Sequence, residues 1–99
     1  MESKIEKLVR FASKYFKISE EKIYGHITTD DCSIARYLIW YYLHYQKDIP
    51  TSVIGKAFYR EKRTIFYGIS KIKNSINMQM YYRNMYGMFV QEYEKWLGN

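Results

Sequence analysis

Residues 31–46 read DCSIARYLIWYYLHYQ, a run in which large apolar and aromatic side chains recur at helical spacing. The spacing predicts a helix of about four turns. Because aromatic residues extend around much of its circumference, this helix needs packing partners on most sides, and we expect it at the centre of the domain. One side of it carries Ile34, Leu38, Tyr41, Tyr42 and Tyr45.

Two helices are predicted before this central segment. Residues 3–17 have amphipathic spacing, and Ser3 with Glu6 forms a capping-box pattern at the start. A short helical piece begins at about Ser19 and stops near Gly25. The next stretch, GHITTDDC, reads as a loop in which Thr29 or Asp30 caps the central helix.

Three helices are predicted after it. Pro50 ends the central helix, and Thr51 is placed to cap a short one, SVIGKAF. The following segment, KRTIFYGISKI and beyond, has two faces: Ile65, Ile69, Ile72 and Ile76 gather with Gly68 on one, and Arg63, Thr64, Tyr67, Ser70, Lys71 and Asn74 gather on the other. A closing helix at about 77–97 repeats Tyr81, Met85, Phe89, Tyr93 and Trp96.

Length and composition point to one compact all-α domain of five to six helices. A chain of 99 residues that is 47% apolar has enough material for one hydrophobic core and is unlike a disordered segment. The single Cys32 excludes an internal disulfide and reads as a small buried residue, and no Cys/His spacing suggests zinc. The start, MESKIEKLVR, lacks the apolar run of a signal peptide, so we expect a soluble cytoplasmic protein without cofactors.

The net charge of +6 is concentrated in one stretch. Residues 56–83 contain seven basic residues against Glu61 alone, so this stretch accounts for the whole net charge, and the rest of the chain is neutral. Such a concentration is typical of a surface that binds a polyanion, although a solvated basic face remains the alternative. The seven are Lys56, Arg60, Lys62, Arg63, Lys71, Lys73 and Arg83.

Two helices joined by a tight turn, SVIGKAF then YRE then KRTIFYGISKI, have the sequence form of a helix-turn-helix at about 51–76. In that motif the second helix enters the major groove of DNA. The run IGKAFYREKRTIFYGISKI, with IARYL about twenty residues upstream, resembles the carboxy-terminal DNA-binding domain (domain IV) of the bacterial replication initiator DnaA. The resemblance covers about residues 3 to 76 and implies a fold similar to that of the Trp repressor.

The resemblance implies roles for individual residues. Arg36 matches an arginine that grips phosphate in the family, and Arg60 matches one that reaches the minor groove. The turn residues Ile54, Gly55 and Phe58 are structural, and Tyr59 occupies a position where the family has glycine. The base-reading positions fall on Glu61, Lys62, Arg63 and Thr64, and Lys71 with Ile72 matches the closing pair.

This sequence departs from the family pattern at Lys62 and Arg63, which stand where the family has histidine and a small hydroxyl residue. These side chains favour guanine O6 and N7, while Thr64 suits a thymine methyl group, so we expect a target different from the family's. Two readings stay open for Tyr67, a DNA contact or a partly packed ring. Two readings also stay open for Arg36. It is either a phosphate contact, whose loss weakens binding to all DNA sequences alike, or a solvated surface charge.

Two functions remain in competition. The first is non-catalytic, sequence-specific binding of double-stranded DNA through Arg36, Lys56, Arg60, Glu61, Lys62, Arg63, Thr64, Tyr67 and Lys71, in replication initiation or its regulation. The second is a protein-interaction adaptor with a DnaA-like fold, whose partner is a second copy of the chain or a replication protein. An enzyme is disfavoured because His26 and His44 have no partners at catalytic spacing, and no GxxxxGK[ST] segment exists for ATP.

Overall fold

The structure is a computed structural model, and it describes residues 1–98. Within these residues the chain is all-helical and forms six helices without a strand. The predicted fold class is therefore confirmed. The helices are α1 (Lys4–Phe16), α2 (Glu20–Tyr24), α3 (Asp30–Tyr45), α4 (Thr51–Ala57), α5 (Lys62–Met78) and α6 (Met80–Leu97).

Helix α3 lies at the centre, as its aromatic sequence predicts, and packs against α1, α2, α4 and α5. Trp40 and Tyr42 are each only 1% exposed although they point to different sides of the helix, which shows that α3 is enclosed almost all round. Tyr45 is the exception. We expected it on the packed side, but its ring is 47% exposed because it lies in the last turn, at the edge of the bundle.

The helix starts follow the predicted signals in part. At α1 the capping box is present: the Glu6 amide donates to Ser3 Oγ at 3.1 Å, and the Ser3 amide donates to Glu6 Oε1 at 2.9 Å. Thr29 occupies the cap position of α3 but makes no side-chain hydrogen bond there. Thr51 is the first residue of α4 instead of its cap, because the chain turns into the helix at Pro50.

Helices α4 and α5 pack against each other and are joined by residues 58–61. The connection is tight because the backbone returns onto α4. The Arg60 amide donates to the Gly55 carbonyl at 2.8 Å, and a Cβ atom on Gly55 would lie 2.5 Å from the Arg60 carbonyl oxygen. Glycine is therefore required at this close approach, which agrees with the structural role expected of Gly55.

Helix α6 closes the bundle after an extended residue, Gln79. Phe89 is fully buried, with its ring centroid 5.2 Å from that of Phe16 and 5.9 Å from that of Phe11 on α1. The predicted stripe is packed only from its middle onwards, because Tyr81 is 66% exposed. No helix among residues 1–98 combines the length and the apolar character that a membrane crossing requires.

Candidate nucleic-acid interface

Helix α5 separates its residues into two faces, as predicted. The inward face is buried, and Ile65 is fully inaccessible. Gly68 lets α5 approach α3 closely, since a Cβ there would lie 2.7 Å from Tyr37 Cδ1 and 2.8 Å from Trp40 Cε3. The six side chains of the other face are all exposed and no part of α6 covers them: Arg63, Thr64, Tyr67, Ser70, Lys71 and Asn74. We call these six the outer face of α5.

The end of α4 and the start of α5 carry three exposed basic residues, Lys56, Lys62 and Arg63, which we call the basic entrance. Lys56 and Lys62 are exposed, and within the described residues no carboxylate lies within salt-bridge distance of either. Arg63 is also exposed, and its Nε lies 2.8 Å from a carboxylate oxygen of Glu61. Because both side chains are largely in solvent, this pair contributes at most about 1 kcal/mol and can open for a stronger anion. Lys62, the first residue of α5, also stands beside the positive end of the helix dipole.

Arg60 does not extend outward, as an arginine that reaches the minor groove would. Its Nη1 donates to the carbonyl oxygens of Phe58 at 2.9 Å and Tyr24 at 3.1 Å, and its Nη2 donates to that of Gly25. The guanidinium carbon lies 5.4 Å from the centre of the Trp40 ring. The donors of Arg60 are thus used inside the protein, where they join the α4–α5 turn to the end of α2.

Arg36 is buried, with 4% of its surface exposed, so its reading as a solvated surface charge is wrong. Its Nε donates to the Ile23 carbonyl at 2.9 Å, and its Nη2 donates to the carbonyls of Lys22, at 3.0 Å, and Ile27. The side that looks polar in a helical projection of α3 therefore faces the α2–α3 connection. We therefore assign Arg36 and Arg60 a structural role, in which they hold the backbone beneath the candidate interface.

Together the two arginines complete the carboxy-terminal end of α2. The last carbonyls of a helix lack partners within the helix, and Gly25 does not adopt the left-handed conformation that often supplies them. Arg36 binds those of Lys22 and Ile23, and Arg60 binds that of Tyr24. The only sequence signal for this role is that α2 is short and that its end is followed directly by a loop.

Burial lowers the pKa of both guanidinium groups, and the Arg36 charge lowers the pKa of Arg60 further. The ordinary value for arginine is so high that both groups stay protonated at neutral pH. Carbonyl oxygens, which carry only partial negative charge, therefore surround two full positive charges beneath the interface. These charges add to the field at the surface without being free to contact a ligand.

Tyr59 has φ 58°, in the left-handed region that favours glycine. The resemblance to the DnaA domain places the family's glycine at this position. The turn thus has a backbone conformation that suits glycine, although this chain carries a tyrosine that is 80% exposed.

On the outer face, Tyr67 is 58% exposed, which favours availability for contact over a partly packed ring. The Lys71 ammonium lies 5.7 Å from the centre of the Tyr67 ring, so a cation and an aromatic face are presented together. Exposed Thr64 and Asn74 supply hydroxyl and amide groups that can read base edges. These contacts remain predictions.

A groove that the helical projection did not reveal shares Tyr67, Ser70, Lys71 and Asn74 with the outer face and extends beyond it. It runs between α5 and the end of α3, and Phe66 and Tyr45 are its most apolar exposed members, at 63% and 47%. Phe66 flanks the outer face, so a strict division into two faces assigns it to neither. We call this the aromatic groove; it is lined by Tyr45, Phe66, Tyr67, Ser70, Lys71, Lys73, Asn74 and Asn77.

The side chains with metal-binding chemistry are scattered over residues 1–98. No cluster of three or more His, Cys, Asp or Glu side chains in this part of the chain could hold a metal ion. The His44 Nδ1 lies 2.9 Å from the Ile49 carbonyl oxygen, where a protonated ring nitrogen donates a hydrogen bond that holds the α3–α4 connection. Cys32 is buried and free, as expected of a packing residue.

No family model matches the chain, and no curated protein matches it either. The described geometry defines a small all-α domain with an exposed basic helix. The likeness to the DnaA domain therefore depends on the quoted sequence motifs, and membership of that family stays a proposal.

Proposed function

We propose that the protein is a non-catalytic, sequence-specific binder of double-stranded DNA, with the outer face of α5 as its reading surface. The observation that carries this proposal is the exposure of all six outer-face side chains behind a basic entrance. An α-helix of this width fits the major groove, and the charge excess suits a phosphate backbone.

Within this proposal the residues have distinct tasks. Lys56 and Lys71 contact phosphates, while Lys62, Arg63 and Thr64 contact bases. We also propose a cytoplasmic location for this function. The likeness to the DnaA domain supports a role in replication initiation or its regulation, and the departures at Lys62 and Arg63 favour a target sequence of its own.

The first experiment reverses the charge of the entrance. The variant Lys62→Glu/Arg63→Glu should lose duplex affinity by at least about tenfold, the size of one good base contact. The matched control is Lys14→Glu/Lys95→Glu, which changes the net charge by the same amount at exposed positions on α1 and α6. Fluorescence anisotropy with a labelled duplex pool at fixed salt measures both.

Equal losses in the two variants would indicate attraction by net charge alone and would contradict a reading surface on α5. Selection of bound duplexes from a random pool at the same salt then identifies the target. With that target, Arg63→Ala should reduce the preference over unrelated duplexes, because a base contact carries sequence information that a phosphate contact does not.

A second candidate function is binding of a protein partner by the exposed apolar side chains around the start of α6. Met78, Met80 and Tyr81 are between 66% and 76% exposed, and Met88 lies further along at 59%. Such side chains are common at adaptable protein interfaces. If this is the main role, the parent protein has no duplex affinity, and Lys62→Glu/Arg63→Glu leaves partner binding or self-association unchanged in sedimentation.

A further inference from the structure

The aromatic groove has a composition that duplex binding does not require. Contacts to a DNA backbone and to base edges need cations and polar groups, whereas Phe66 offers only an apolar ring. That ring is 63% exposed, and within the described residues it pairs with no other aromatic ring or cation. An exposed ring of this kind next to lysines is a stacking surface for a base, since every base has an apolar face.

We propose that the aromatic groove binds unpaired nucleotides, with Phe66 and Tyr45 as stacking surfaces and Lys71 and Lys73 as phosphate contacts. The inference deepens the proposed nucleic-acid function and rests on it for the class of ligand. The inference assigns the ligand to residues outside the basic entrance. Experiments can therefore contradict the unpaired-strand site and the duplex site separately.

The lysines of the groove are already paired with its rings. The Lys73 ammonium lies 5.2 Å from the centre of the Tyr45 ring and 3.4 Å from the Tyr45 hydroxyl, and Lys71 lies 5.7 Å from the centre of the Tyr67 ring. Each pair thus presents one cation and one aromatic face side by side. An unpaired strand presents the complementary pair in every nucleotide, a phosphate and a base.

The Tyr45 ring of the groove packs against two neighbouring rings. The Tyr41 ring centroid lies 4.9 Å from that of Tyr45, and the His44 ring lies at the same distance from it. Tyr45 therefore loses little conformational freedom when a base stacks on it, which favours binding. The amide side chains of Asn74 and Asn77 lie in the same groove and can donate to or accept from base edges.

Charge selects an unpaired strand over an apolar protein segment as the occupant. None of the residues that line the groove is acidic, and two are lysines. A peptide that only filled apolar space would leave both ammonium groups without a counterion, whereas a sugar-phosphate backbone neutralises them. The openness of the groove along α5 also suits a strand that passes through it.

The test measures anisotropy of a labelled oligothymidylate, which cannot form a duplex with itself, and of an oligouridylate of equal length. Phe66→Leu keeps an apolar side chain but removes the ring, so it should lose about tenfold in affinity for the strand, as expected for one stacked base. Phe66→Trp keeps a ring and should bind at least as well as the parent, with quenching of the new tryptophan's fluorescence on binding. The two oligonucleotides show whether DNA or RNA is preferred.

The controls separate this site from the duplex site. Phe66→Leu should leave duplex affinity within about twofold, and Lys62→Glu/Arg63→Glu should weaken duplex binding more than strand binding. Absence of strand binding by the parent, or equal strand affinities of Phe66→Leu and the parent, would overturn the proposal. So would equal losses for strand and duplex in Phe66→Leu, because the ring would then serve the duplex site. Failure of the entrance variant to affect duplex binding would count against the proposed function alone.

Discussion

Arg36 and Arg60 show most clearly how a residue's chemistry depends on its surroundings. Both are basic residues in a chain with a concentrated positive charge, and a likeness to a DNA-binding family assigns both to DNA. Their donors are instead directed at carbonyl oxygens of the α2 end and the neighbouring turns. Sequence spacing reports which side of its own helix a residue occupies, but not which carbonyls of another helix need a donor.

The structural role of Arg36 leads to a prediction about stability. Arg36→Ala should lower the free energy of unfolding by at least about 2 kcal/mol, because three backbone carbonyls lose a charged donor. Arg36→Lys should recover only part of this loss, since an ammonium cannot reproduce the planar fork. Urea denaturation followed by circular dichroism measures both.

Arg63→Ala is the control, since its side chain is 84% exposed and its loss should change stability by no more than about 0.5 kcal/mol. A fully stable Arg36→Ala variant that bound all duplexes more weakly would instead support the phosphate contact that the sequence suggested.

At the scale of helices, the sequence predicts a great deal. The two faces of α5 are predictable from the spacing of Ile65, Ile69 and Ile72. A shift of this pattern by one residue would rotate an isoleucine into solvent, so the position of the buried face is well determined. The short α4 and the tight turn are also predicted. Phe66 and Tyr45 are not, because a groove between two helices depends on how they are placed side by side, which neither helix's periodicity contains.

Two glycines in helices give a matched test of the α3–α5 contact. Gly68→Ala should destabilise the protein by about 1–3 kcal/mol, because the added methyl group meets Tyr37 and Trp40 at distances below 3 Å. Gly87→Ala, in α6 with open space around it, should stabilise by up to about 1 kcal/mol through helix propensity.

Both substitutions make the same chemical change inside a helix, so their difference in urea denaturation isolates packing. Equal effects of the same sign would mean that α5 and α3 are not in close contact at Gly68.

At the scale of the whole molecule, the net charge of +6 overstates the number of cations in the basic stretch that a duplex can contact. Arg60 is engaged internally, and Arg83 donates to the carbonyls of Ile76 and Asn77. Five other cations of the basic stretch are exposed and donate to no backbone carbonyl, and Arg63 among them is paired with Glu61. They are Lys56, Lys62, Arg63, Lys71 and Lys73.

If four or five of these cations displace counterions from the duplex, the logarithm of the duplex association constant should fall with the logarithm of salt concentration at a slope of about −4. Replacing Lys56 with glutamine should make the slope less steep by about 1, and Lys14→Gln on α1 should leave it unchanged. Anisotropy titrations at several salt concentrations measure the three slopes. Affinity that does not depend on salt would argue against a phosphate-binding surface.

Arg60 links parts of the chain that are far apart in sequence, since its guanidinium joins the turn before α5 to carbonyls 35 and 36 residues earlier. A tilt of α5 away from the bundle would pull on this link and uncover carbonyls in an apolar setting, so such a motion is costly. In the proposed complex with DNA, the protein is therefore a stiff template and shape adjustment is left to the nucleic acid. Under that proposal, sequences that bend or open easily gain an advantage even at positions that no side chain reaches.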